Sequence, residues 1–379
     1  MNRFSLKNGL VLVLMLSCLP AFADDTAGSY YDQGISLMKQ KNFKDAIQAF
    51  DMSVGMAATD ARAYMKRGQC FFELGHYQLA VSDFTQAMNY SKNDAGCYLS
   101  RGIANSKLGK HQEAIADFEK AINLDPNLSG AYQGMGDVLV QSGDKVQAMQ
   151  NYNLAIKQDS RNAGAFVARA DLYKVLGRNA DALKDYSLAI ELAPTSDIAY
   201  IHRGTAYSGM SRPEDAVKDY DKALSLDPDN ADLKEKRGKE FFKLKNAKKA
   251  LADFSDAIKQ DPTDSDLYYH RAKAHMQLGE DGPAMEDLEY AIRLDPNEAN
   301  FYLARAFLWH KKGKSILARE DIKRAQFFKP DLPKDIRFPD DPKNQDVWNE
   351  ETFLSDINKS GDKDTSEVLQ NQGSLGNTN

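Results

Sequence analysis

One displacement brings this chain into register with itself. Shifted by 34 residues, it overlays on itself through nine copies without insertion or deletion, the copies starting near residues 27, 61, 95, 129, 163, 197, 231, 265 and 299. A fixed period of that length belongs to stacked helical units, each of which needs its neighbour to bury an apolar face.

The positions that repeat say what the unit is. A small residue stands at Gly34, Gly68, Gly102, Gly136, Ala170, Gly204, Gly238, Ala272 and Ala306, and twelve residues after each comes an alanine, from Ala46 to Ala318. Small side chains at both places let two antiparallel helices joined by a short loop approach closely. Four residues beyond each alanine sits a bulky knob: Phe50, Phe84, Phe118, Tyr152, Tyr186, Tyr220, Phe254, Leu288 and Ile322. Alanine and knob form an i, i+4 stripe on the second helix. Glycine at Gly75, Gly109, Gly143, Gly177, Gly279 and Gly313 is placed to end the first helix, where a left-handed residue is needed. Proline at Pro126, Pro194, Pro228, Pro262, Pro296 and Pro330 stops the second, since it can neither donate nor fit inside a helix.

Two charges recur in step. Arginine precedes the small residue in seven copies (Arg67, Arg101, Arg169, Arg203, Arg237, Arg271, Arg305), and aspartate precedes the knob in the same seven, from Asp83 to Asp321. The first copy has Gln33 with Ala49 and the fourth Met135 with Asn151, so both charges vanish together. Joint loss predicts a pair inside each copy, and a carboxylate that fills the guanidinium fork leaves no ladder of free arginines for anionic ligands.

This pattern resembles the tetratricopeptide repeat family, whose aromatic, small-residue, alanine and proline positions fall on the residues just named. The resemblance implies an all-α fold, a right-handed superhelical solenoid of nine helix-turn-helix repeats. It also implies a concave groove that holds peptides or partner proteins and is lined by the second, fifth, sixth, ninth, twelfth and thirteenth positions of each copy. At one end those positions carry Tyr31, Ile35, Met38, Met65, Phe72, Leu99 and Ile103, an apolar surface. At the other they carry Lys236, Lys239, Phe242, Lys243, Tyr269, His270, Lys273, Phe307, His310 and Lys311, a basic and aromatic surface suited to an acidic, aromatic segment of a partner. The combination of lysine, asparagine and arginine with which the family grips a chaperone's carboxylate tail is missing from adjacent copies.

The two ends of the chain differ from its middle. Arg3 and Lys7, an apolar run from Leu10 to Leu16 and the small-x-small triplet Ala21-Phe22-Ala23 predict a signal peptide over residues 1–23 and export to the periplasm or beyond. A lipid anchor at Cys18 is the lesser alternative, since Met15 stands where leucine is usual. Loss of Arg3 and Lys7 takes the net charge from -6 to -8, which disfavours nucleic acid as a partner. Beyond Pro330 the period stops. Residues 333–379 are acidic and rich in Asn, Ser and Gly, a composition expected to be largely disordered, with Trp348, Phe353 and Leu354 as a possible capping segment. Asp356, Asn358, Ser360, Asp362, Asp364 and Glu367, with Gly361 at the turn, fit calcium-loop spacing, but Lys363 departs from it and no metal is assigned.

No catalytic arrangement emerges from the repeats. His270 and His275 are five apart rather than the four of a zinc helix, and Gly134-Met135-Gly136 lacks the third glycine of a nucleotide loop. Cys70 and Cys97 fall about two turns apart in register on neighbouring first helices, which suits two small buried residues better than a disulfide. The reading is therefore a non-enzymatic scaffold, without cofactor, that binds a protein or peptide outside the cytoplasm. Self-association through the apolar first repeats and an accessory role beside a cell-envelope enzyme are the alternatives.

Overall fold

The computed structural model describes residues 26–332, and every regular element among them is an α-helix. The chain divides after Pro194 into two compact units. In the first, α1 (26–39) and α2 (Phe43–Met56) make one copy, followed by α3 (Ala61–Glu73) with α4 (Tyr77–Tyr90), α5 (Ala95–Lys107) with α6 (His111–Leu124), α7 (Ser129–Gln141) with α8 (Lys145–Gln158) and α9 (Ala163–Val175) with α10 (Asn179–Leu192). The second holds α11 (Asp197–Gly209) with α12 (Pro213–Leu226), α13 (Ala231–Lys243) with α14 (Ala247–Gln260), α15 (Ser265–Gln277) with α16 (Asp281–Leu294) and α17 (Ala299–Lys311) with α18 (Ser315–Phe328). Within each unit a helix packs most heavily on its own partner and next on the helix that follows, as a quasi-one-dimensional array requires. The signal sequence, Cys18, the calcium-like loop and the capping segment lie outside the described residues.

Local chemistry sets the ends of the helices. Asp60, Asp94, Asn162, Asn230 and Asp264 precede first helices and accept a hydrogen bond from a backbone N–H of the opening turn, satisfying donors that the helix cannot. The six turn glycines have φ between 71° and 86°. In the three copies without glycine, Lys41, Ser211 and Lys245 are held in the same left-handed region at φ 58°, 56° and 58°, a conformation that a side chain makes costly.

The small residue and the knob meet directly. A Cβ added to Gly68 would lie 2.7 Å from the Phe84 ring, and one added to Gly136 would lie 2.5 Å from Tyr152. Phe118 is enclosed twice, because a Cβ on Gly102 or on Gly134 would approach its ring to 2.7 or 2.6 Å. The knob packs on bare backbone. Where the knob shrinks to Leu288 or Ile322, alanine replaces glycine at Ala272 and Ala306, and all four side chains remain buried. Cys70 packs with Ala46 and Phe50, while Cys97 packs with Ala87 and Met88. Both are free thiols, and burial pushes them up to about 11 and about 12.

All seven arginine–aspartate pairs close inside their own copy. Arg67 donates from Nε and Nη2 to the two Asp83 oxygens at 2.8 and 2.7 Å, and Arg101 does the same to Asp117 at 2.9 and 2.6 Å. The pattern continues through Arg305 and Asp321, at 2.8 and 2.8 Å. Each aspartate is buried and each arginine partly so. The geometry adds two partners that the sequence pattern left unseen. Nη1 reaches back to the second helix of the preceding copy, from Arg67 to Asp51 and from Arg237 to Asp221 at 2.7 Å each, from Arg169 to Asn153 at 2.7 Å and from Arg101 to Thr85 at 3.2 Å. For Arg67, Arg101, Arg169, Arg271 and Arg305 the guanidinium also covers the aromatic ring three residues earlier, with Arg67 over Tyr64 at 5.4 Å and Arg271 over Tyr268 at 5.6 Å, a favourable cation–π placement. Arg203 and Arg237 lie instead over the ring four residues later, Tyr207 at 6.0 Å and Phe241 at 5.6 Å.

Candidate partner-binding face

The first helices of the second unit carry the ten residues expected to line the groove, and the structure gathers six polar and aromatic side chains at its centre. Lys239 on α13 pairs with Glu235 one turn earlier at 2.7 Å. His270 on α15 stacks on Phe254 with ring centroids 5.6 Å apart, and its Nε2 lies 4.0 Å from Glu235. Burial first, and Lys239 and Lys273 second, hold its imidazole well below the usual histidine range, so it is neutral. Lys273 puts its ammonium 5.2 Å from both the Phe242 and the Tyr269 rings. Tyr269 stacks obliquely on Phe301 at 5.2 Å, and Phe307 packs against the same cluster.

The face is less basic than its lysines suggest. Lys273 and Tyr269 are buried, each 6% exposed, so they form the floor of the face and not its surface. Lys243 is held by Glu240 at 2.9 Å and Lys311 by Asp281 at 2.9 Å. Lys236 and Lys311 are exposed and His310 is half-buried. Carboxylates on the same or a neighbouring helix neutralise much of the apparent charge: Glu235 and Glu240 on α13 and Asp281 on α16 each hold one lysine. Of these, Glu240 carries a legible signal. It is a carboxylate at a register position filled by Cys70, Ala104, Val138, Leu172, Ala206, Ala274 and Leu308 in other copies. It is buried and accepts from Ser208 Oγ at 2.6 Å, while its Oε2 has no hydrogen-bond partner.

In the first unit the apolar residues Tyr31, Ile35, Met38, Met65, Phe72, Leu99 and Ile103 are all half-buried and packed against core clusters of adjacent copies. Further along, the tyrosine knobs bring carboxylates onto the first helices. Tyr152 donates to Asp137 at 2.8 Å and Tyr186 to Asp171 at 2.5 Å. Asp137 is pushed up to about 6 by burial, which outweighs the Tyr152 hydrogen bond. The change of knob from phenylalanine to tyrosine in these copies is the sequence signal for that pairing.

Family models for tetratricopeptide repeats match residues 31–94, 95–128, 163–196, 198–230 and 265–298, and one for the TPR repeat matches 238–279. Together they cover more than half of the chain. No curated protein matches. Among solved structures, the APC/C hetero-tetramer Cut9-Hcn1 is 18% identical with a TM-score of 0.54, over 77% of this chain and 54% of that one. Pseudomonas aeruginosa pilF is 17% identical with a TM-score of 0.50, over 57% of this chain and 97% of that one. A tetratricopeptide repeat protein from Parabacteroides merdae is 20% identical with a TM-score of 0.46, over 70% and 97%. At these identities the likeness is one of fold.

Proposed function

Starting from the fact that this chain belongs to the tetratricopeptide repeat family, we propose that it is a non-enzymatic scaffold that holds a segment of a partner protein on the exposed face of its first helices, after export from the cytoplasm. The observation that carries this reading is the shared face of α13 and α15. Lys239, Phe242 and His270 remain partly exposed there around a buried aromatic floor, while other faces of the same helices are taken up in packing. Rings flanked by held charges offer a segment both apolar area and oriented hydrogen-bonding groups, the composition of interface centres. The lysines point to acidic groups on the partner and the rings to aromatic ones. Export rests on residues 1–23 alone. The non-enzymatic reading rests on the repeats, where no catalytic arrangement stands out and where Asp137, Tyr152, Tyr186 and Tyr220, all raised by burial, bond one another or neighbouring side chains within the helix pairs.

The test is crosslinking in the fraction that holds the exported protein, with wild type set against Lys236→Glu, Lys239→Glu and Lys243→Glu combined. These three are used because Lys273 is buried and its replacement would disturb the floor. A partner lost from the variant at unchanged helicity supports the reading; the same crosslinked partner in both moves the site to the apolar face of the first unit. A concentration-dependent dimer weakened by Met65→Glu and Phe72→Glu would favour self-association.

A further inference from the structure

The seventh copy departs from the repeat where it meets the sixth. Glu240 on α13 stands at a register position that in other copies packs on the alanine and knob of the copy before: Cys70 on Ala46 and Phe50, Val138 on Ala114 and Phe118, Leu172 on Ala148 and Tyr152. The copies on either side have Ala206 and Ala274 there. Glu240 brings a carboxylate to that seam and is 3% exposed. Its Oε1 accepts from Ser208 Oγ of α11 at 2.6 Å and from Lys243 Nζ at 2.9 Å, but Oε2 is sealed from solvent with no hydrogen-bond partner. The counter-charge stays in water while the carboxylate does not, since the Lys243 side chain is 46% exposed. A buried polar atom left unsatisfied costs the closed seam its desolvation, and a charge withdrawn from water costs more. No ligand reaches Oε2 while the seam is closed, so the atom bears on the packing of the copies and not on a subsite of the groove.

Two other departures fall on the same seam. In the fourth, eighth and ninth copies the tyrosine four before the small residue ties down the loop that joins its copy to the one before. Tyr132 donates to the Pro126 carbonyl at 3.2 Å, Tyr268 to that of Pro262 at 3.2 Å and Tyr302 to that of Pro296 at 2.9 Å. In the seventh copy Lys234 takes that place after Pro228 and brings neither ring nor hydroxyl. The turns of the sixth and seventh copies, at Ser211 and Lys245, are also consecutive turns without glycine. In a stacked array each copy is held by its neighbours alone, so the joint with the weakest contacts opens at least cost. We infer that the seam of α13 against α11 and α12 is a conformational joint, where the sixth and seventh copies part while the copies beyond stay folded, and that Glu240 sets how readily it opens. Opening admits water to Oε2 and changes the spacing of α11 and α13, two first helices on which a groove-bound segment would rest. The inference concerns the array itself and holds whether or not Lys239 and His270 meet a partner.

The test is hydrogen–deuterium exchange of the full chain under native conditions, read by mass spectrometry on peptides from α11 to α16. Amides of α12 and α13 should exchange about tenfold faster than those of α15 and α16. Glu240→Leu installs the residue that stands at Leu172 and Leu308 and removes the stranded oxygen. It should slow α12 and α13 about tenfold, the order expected for one buried polar atom, and α15 and α16 by less. Lys234→Tyr should slow α12 and α13 as well, by supplying the missing tie to Pro228. Equal exchange through α11–α16 in the wild type overturns the inference. So does a Glu240→Leu variant in which α12 and α13 exchange as before or faster, since the carboxylate would then hold the seam shut through Ser208 and Lys243.

Discussion

Replacing Arg101 by methionine isolates what the repeated ion pair contributes. Asp117 is 4% exposed and its carboxylate receives two hydrogen bonds from the Arg101 guanidinium, with one more from Asn105 Nδ2 at 3.1 Å. Methionine keeps much of the arginine's apolar stem but strands the carboxylate, and breaking a buried pair in this way costs about 3–5 kcal/mol. An exposed pair would cost about 0–1 kcal/mol. Removing both partners, as in Arg101→Met with Asp117→Leu, leaves no buried charge to satisfy and should fall within about 1 kcal/mol of wild type, or above it. The fourth copy already has this solution in Met135 and Asn151, with Met135 buried. Urea unfolding followed by far-ultraviolet circular dichroism on the wild type, both single variants and the double variant gives the coupling energy directly. A loss below about 1 kcal/mol for Arg101→Met, or a double variant as unstable as the sum of the singles, would refute the argument that the pair exists to neutralise a buried carboxylate.

Three further outcomes are expected. Lys41→Gly should raise stability by about 1 kcal/mol, because the left-handed turn at φ 58° no longer works against a side chain; a thermal midpoint that falls would mean that the freedom glycine adds to the unfolded chain outweighs the relief of strain. Asp137 has a folded-state value raised to about 6 by burial, so the folded chain binds its proton more readily than the unfolded chain does and this group's contribution to stability falls as pH rises from about 4 through about 6. Asp137→Asn should flatten that part of the profile, and an unchanged slope would place the titration elsewhere. Cys70 and Cys97, both buried with raised proton affinity, should resist a thiol reagent in the native chain and react stoichiometrically in denaturant, whereas rapid native labelling would contradict their packing.

The repeat made the helix pairs, their turns and the intracopy ion pairs legible, because each depends on a residue type that only one backbone conformation or one partner suits. The knob against bare glycine and the joint loss of arginine and aspartate are of this kind. What stayed hidden involves neighbours brought close by stacking. Lys273 reads as one more basic groove residue, yet its register places the ammonium between the Phe242 ring of the preceding copy and Tyr269 of its own, where it is buried. The carboxylates that answer Lys239 and Lys243 come from one turn away on the same helix, and the one that answers Lys311 comes from a neighbouring helix. A list of groove positions counts the lysines without them. Nη1 of each arginine could have been paired from sequence only by knowing how far the preceding second helix leans, since its partner varies among Asp51, Thr85, Asn153 and Asp221.

That unequal sharing of the guanidinium bears on how such a chain changes length. Each arginine donates its two strong bonds to an aspartate 16 residues later in its own copy, and the third, seen from Arg67, Arg101, Arg169 and Arg237, goes to an interchangeable acceptor in the copy before. Duplication or excision of a whole 34-residue block therefore carries donor and acceptor together and leaves no stranded carboxylate at the splice. The joint asks only that some acceptor, whether a carboxylate, an amide or a hydroxyl, stand where Asp51, Asn153 or Thr85 stands now. Arrays built in this way can be lengthened or shortened by recombination between copies without first passing through an intermediate with a buried, unpaired charge.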